Sequence, residues 1–70
     1  MYPNFKGERN RLGFTLAMLA DILGVTIGTL SQKLSGKYEL TLSEAKKLKD
    51  AIGSDKSLEW LFATEVDNMG

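Results

Sequence analysis

The chain has neither cysteine nor histidine among its 70 residues. Without thiols there is no disulfide framework and no thiolate metal site, so a hydrophobic core must hold the fold alone. The lack of cysteine also agrees with a reducing cytoplasm. With no histidine, no glycine-rich phosphate loop and no carboxylate pair in a plausible pocket, enzyme chemistry has little to work with. Neither a catalytic role nor a metal or cofactor is expected. Long apolar runs are missing too: the richest stretch, Leu12 to Leu30, carries Asp21 with several Gly and Thr and is unfit to span a membrane. The opening MYPNFKGERN has no apolar segment behind its charges, so it is not read as a signal peptide. The expectation is a soluble, cytoplasmic single domain with no membrane partner, near the lower size limit for an unaided core.

A surplus of positive charge is also absent, since nine Lys/Arg balance nine Asp/Glu. That argues against a strongly basic nucleic-acid binder. The average hides a division. Residues 1–49 hold eight bases against four acids, a charge of +4, and residues 50–70 hold Lys56 against five acids, a charge of −4. Such a division suits a protein that shows phosphates one face and solvent another, and it equally suits a solvated surface with chance segregation.

No stretch alternates apolar and polar residues long enough to demand a strand, so the period is helical throughout. Pro3 suits a first turn, giving a helix from about Pro3 to Leu12 that ends at Gly13. Thr15 caps a second helix, Leu16 to Leu23, stopped by Gly24. Thr26 caps a third, Ile27 to Leu34 or Ser35, stopped by Gly36, with Ile27, Leu30 and Leu34 on one stripe. Thr41-Leu42-Ser43-Glu44 is a capping box opening a fourth helix, expected to bury Leu42, Ala45, Leu48 and Ile52 before Gly53. Ser57 caps a short fifth helix, Leu58 to about Phe62, with Trp60 in the core or at its edge. Residues 64–70 lack periodicity and are expected to form a disordered tail behind a domain spanning 1–63. The fold class is therefore all-α, a compact bundle of about five short helices.

The connection Leu23-Gly24-Val25-Thr26 carries further information. A glycine at a left-handed position and an apolar plug beneath it give a tight turn between two helices. That is the layout of a helix-turn-helix unit, whose second helix can lie in the major groove.

Four segments in this order, NRLGFT at 10–15, LADILGVT at 19–26, TLSQKLSGK at 29–37 and TLSEAKKLKDAIG at 41–53, resemble the Cro/C1-type (XRE-like) helix-turn-helix family of phage and bacterial repressors. The resemblance covers roughly residues 4–62. It implies a lambda repressor-like, five-helix DNA-binding domain acting as a transcriptional regulator, with helix 27–35 in the major groove of double-stranded operator DNA. It also implies a homodimer, built through the helix-five region around Trp60 and Phe62. Base-reading side chains then correspond to Ile27, Gly28 and Gln32. Thr15, Thr26, Thr29, Ser31 and Lys33 match positions that touch phosphates or neighbouring base edges, and Lys37, with Tyr38 beside it, matches a backbone contact.

Three positions depart from the family pattern. Leu16 stands where a phosphate-holding Gln is usual. Ile27 either extends the core stripe of its helix or offers an apolar contact to a thymine methyl. Gly28 forgoes about 1 kcal/mol of helix propensity relative to Ala. Gln32 is the best remaining reader, able to form a bidentate pair with adenine worth about 1–3 kcal/mol of discrimination. Lys46, Lys47 and Lys49 read as a solvated face, while Arg9 and Arg11 either reach the DNA backbone or pair with Glu8 and its neighbours. In helix 16–23 only Asp21 is charged, and Leu16, Met18 and Ile22 widen the apolar stripe. They form either a thicker core or an interface for a protein partner, as in an antirepressor or adaptor.

Overall fold

The computed structural model describes residues 1–64, and the expected tail beyond Thr64 lies outside them. Five helices follow one another: α1 Pro3–Arg11, α2 Leu16–Leu23, α3 Ile27–Ser35, α4 Leu42–Ile52 and α5 Leu58–Leu61. No strand occurs among the described residues. The fold is a compact all-helical bundle containing a helix-turn-helix unit.

Hydroxyl side chains set the helix starts. Thr15, Thr26, Thr41 and Ser57 each accept a hydrogen bond from the amide three residues on. Each such cap is worth about 1 kcal/mol, a large share for helices too short to persist alone. At Thr41 the cap is reciprocal, because the Glu44 carboxylate accepts from the Thr41 amide at 3.0 Å. Pro3 opens α1, where a missing N–H leaves no bond unmade.

The core is small and continuous. Phe5 of α1, Leu19 and Ala20 of α2, Leu30 of α3, Leu48 and Ile52 of α4, and Leu61 of α5 are all buried together. Helix α2 packs against both α3 and α4, and α5 bridges α1 and α4. The ring of Phe62 stacks on Phe5 with centroids 5.0 Å apart and meets Tyr2 edge-on at 5.5 Å. Trp60 lies at the edge, 43% exposed, with its carbonyl accepting from Asn4 Nδ2 at 2.8 Å.

Leu42, expected in the core, lies outside it, and so does Ile27, for which a core position is one of two readings of the sequence. Ile27 is 51% exposed and Leu42 is 65% exposed. Both occupy the first position of their helix. Side chains tilt toward the helix N-terminus, so one at the first position projects past the helix end instead of onto a neighbour. The thicker-core reading of α2 also fails in part, since Met18 is 45% and Ile22 53% exposed, while Leu16 is half-buried against the core.

One buried charge joins distant segments. Glu8 is buried, yet its carboxylate accepts from Arg11 at 2.9 Å and from Ser54 Oγ at 3.0 Å. The Lys56 amide donates in turn to Ser54 Oγ at 3.1 Å. The carboxylate therefore ties α1 to the α4–α5 loop. The Arg11 hydrogen bond holds its pKa below the ordinary carboxylate value, although burial opposes the shift.

Candidate nucleic-acid interface

The α2–α3 turn is built by a left-handed glycine. Gly24 adopts φ 76°, a conformation that costs most other residues about 1–2 kcal/mol, and its N–H returns to the end of α2. The Val25 amide donates to Ala20 O at 3.0 Å, and the Val25 side chain packs under the turn against the core. Thr26 then starts α3: its Oγ1 accepts from the Thr29 amide at 3.1 Å and bonds the Thr29 hydroxyl at 3.0 Å.

Fully buried Leu30 and half-buried Leu34 pin α3 to the bundle. The remaining positions fall on the outer side. Ile27, Gly28 and Ser31 are exposed, and Thr29 and Gln32 are half-buried. At the helix end Gly36 is again left-handed, with φ 93°, and the Lys37 amide donates to Gln32 O at 2.9 Å. Lys37 and Tyr38 are exposed beyond it, the Lys37 ammonium 6.0 Å from the Tyr38 ring centroid. Thr15 is exposed at the start of α2, its hydroxyl oxygen receiving the Met18 amide at 3.2 Å.

Lys33 behaves differently from its neighbours. Its ammonium pairs with Glu44 at 3.2 Å and donates to Glu39 O at 3.4 Å. Glu44 thus serves two ends at once, capping α4 through Thr41 and anchoring α3 through Lys33. The Thr41 amide, followed by Lys33, lowers the Glu44 pKa against the opposing effect of burial. This network fastens the loop between α3 and α4. The capping box is readable in the sequence; the partnership with Lys33 is not, since it joins residues 11 positions apart across a loop.

Leu16 faces a groove of about 410 Å³ between α1, the start of α2 and the end of α3, lined also by Phe5, Arg9, Ser31 and Leu34. Arg9 is partly spent within the fold, donating to Phe14 O at 3.0 Å and Asn10 Oδ1 at 3.1 Å. Arg11 pairs with Glu8, one of the two alternatives open to it in the sequence. Lys6 is exposed at the rim of the same groove. Sequence reading missed it, because only tertiary packing brings α1 alongside α3.

The site is therefore a capped, outward-facing helix set by a glycine turn on an all-helical frame. That arrangement defines the helix-turn-helix class of nucleic-acid-binding domains. A family model described as helix-turn-helix matches residues 5–61, and the chain belongs to that family. Its membership gives the domain a DNA-binding, regulatory character. Neither a curated protein nor a solved structure matches the chain at a significant level. No described helix is long and apolar enough to cross a membrane, and no three described acidic side chains gather in a way that could hold a metal ion.

Proposed function

We propose that this chain is a Cro/C1-like, sequence-specific transcriptional regulator of a phage or prophage, working in the cytoplasm on double-stranded operator DNA. The carrying observation is that α3, held from within by Leu30, leaves Ile27, Gly28 and Ser31 exposed on its outer side. In this reading α3 enters the major groove, and Gln32 pairs with an adenine edge. Thr15, Thr26, Thr29, Ser31, Lys37 and Tyr38 position the backbone, with Lys6 added from the groove rim. Lys33 acts indirectly, by holding the loop that carries Lys37 and Tyr38. A homodimer places two such helices on half-sites one turn apart, and exposed Trp60 is the favoured contact, since Phe62 is engaged with Phe5.

Titration of isotopically labelled protein with short duplexes, at low and moderate salt, tests the reading. Amide shifts centred on residues 26–38 are expected. With Lys6 and Lys37 neutralising about two phosphates per protomer, the log–log salt slope is about −2. Absence of any shift at low salt would sink DNA binding.

The exposure of Met18 and Ile22, four residues apart on one face of α2, favours a second reading. There the same scaffold binds a protein, as an antirepressor or adaptor does. Ile22→Asp would then abolish partner binding while leaving duplex titrations unchanged.

A further inference from the structure

The first turn of α3 presents almost no hydrogen-bonding side chain to its surroundings. Ile27, at its first position, directs a branched apolar group past the helix end and is half exposed. The Thr26 hydroxyl caps the helix and donates to Thr29 Oγ1, which leaves the Thr29 O–H as the donor these two threonines still offer. Gly28 lies between them with a helical backbone, so no left-handed conformation demands glycine there. A Cβ added at Gly28 would meet only Thr26 Oγ1, at 3.9 Å, which is ordinary contact. Nothing among the described residues therefore explains the missing side chain. The position is exposed, next in the chain to exposed Ile27.

Resting on the DNA-binding reading above, we propose that Ile27 and Gly28 form a reader of pyrimidine 5-methyl groups. Ile27 supplies the apolar surface, and Gly28 lets the helix backbone approach the base edge. In the major groove the 5-methyl of thymine is the one apolar feature a base pair displays, and 5-methylcytosine displays the same group at the same place. A side chain without donor or acceptor can discriminate there only by apolar contact. The preferred site thus contains a thymine, or a 5-methylated cytosine, opposite the start of α3.

Four probes test this with the full chain: a 16-base-pair alternating A·T duplex, its counterpart with every thymine replaced by deoxyuridine, an alternating G·C duplex, and its 5-methylcytosine counterpart. Affinities are measured by fluorescence anisotropy at one low salt concentration. Burial of one methyl group predicts about fourfold tighter binding of each methylated duplex than its unmethylated partner. Ile27→Ala should erase that difference, Ile27→Val should keep most of it, and Lys37→Ala should weaken all four probes while preserving the ratio. Thermal melting of each variant verifies that the fold is retained, as the exposure of Ile27 leads one to expect.

Equal affinity for methylated and unmethylated probes overturns the methyl reader and leaves DNA binding standing. A methyl preference that survives Ile27→Ala removes the role from Ile27, attributing the effect to groove shape instead. Failure to bind any of the four duplexes overturns the DNA-binding reading together with this one.

Discussion

Two glycines of the same helix-turn-helix unit should respond in opposite directions to the same substitution. Gly28 lies in the first turn of α3, with a helical backbone, and a Cβ at that position would have only Thr26 Oγ1 within 4 Å, at 3.9 Å. Alanine there introduces no clash, and it removes the excess backbone freedom that glycine carries in the unfolded chain. Gly28→Ala should therefore stabilise the domain by about 0.5–1 kcal/mol. For a chain of this size that is a rise in Tm of roughly 3–6 °C. Gly36 is the contrast. Its φ is +93°, and a Cβ would fall 2.6 Å from Sδ and Cε of Met1. The left-handed backbone alone makes Gly36→Ala destabilising by about 1–2 kcal/mol, and Met1 must also move aside. Urea unfolding followed by circular dichroism reads both effects as shifts of the midpoint at constant m. A lower midpoint for Gly28→Ala would refute the claim that its site is open. If Gly28→Ala raises stability yet weakens duplex binding, the glycine is retained for the interface, at a cost to the fold.

Lys33→Ala should lower stability by about 0.5–1 kcal/mol, because it unties α3 from Glu44, and should leave the salt slope of DNA binding unchanged; a slope reduced by about 1 with unaltered stability would make Lys33 a phosphate contact after all. Gln32→Ala is expected to flatten sequence preference, whereas Lys37→Ala weakens every duplex alike and lowers the salt slope by about 1; identical behaviour of the two variants in binding selections would overturn the division between reader and backbone contact. Glu8 and Glu44 both have folded-state pKa values below the ordinary carboxylate value, so their stabilisation is complete above that value and is lost as pH falls through the lower folded ones. The unfolding midpoint should thus hold steady near neutrality and drop below about pH 4.5, and Glu8→Gln should blunt that drop; an unchanged acid profile in Glu8→Gln would show that the Arg11–Glu8–Ser54 contacts do not govern it.

What could be read in the chain and what could not follow from the range over which each feature is encoded. Thr15, Thr26, Thr41 and Ser57 cap helices by bonding an amide three residues away, so the local sequence contains the whole interaction. Gly24, Gly36 and Gly53 end helices by their own backbone freedom, and all three are legible for that reason. The error at Leu42 and the open choice at Ile27 share one origin. Periodicity assigns a residue to a stripe, but whether that stripe is covered at the helix tip depends on where the neighbouring helix stops. The apolar surplus of α2 is ambiguous in the sequence for the same reason, and exposure of Met18 and Ile22 resolves it toward surface. The Glu8–Ser54 bond spans 46 residues, beyond the reach of any local pattern.

The alternation of holding and facing positions along α3 separates fold from readout. Thr26, Leu30, Leu34 and Gly36 cap, bury and end the helix, while Ile27, Gly28 and Ser31 between them carry no internal packing duty. A nine-residue helix has almost no stability of its own, so its orientation is set by the first group. Its outer chemistry is then free to change without unfolding the domain. That freedom bears on the electrostatics. With Lys33 and Arg11 paired internally and Arg9 hydrogen-bonded to Phe14 O, few cations on this side of the molecule remain for phosphates. Over residues 1–64 nine Lys/Arg stand against seven Asp/Glu, a net charge of only +2, so such a domain has few phosphate contacts to draw on for counterion release, and the deficit must be met by base contacts or by doubling the site in a dimer. An apolar reading turn is one physical answer to that deficit, since methyl contact gains strength from burial and loses none of it to salt.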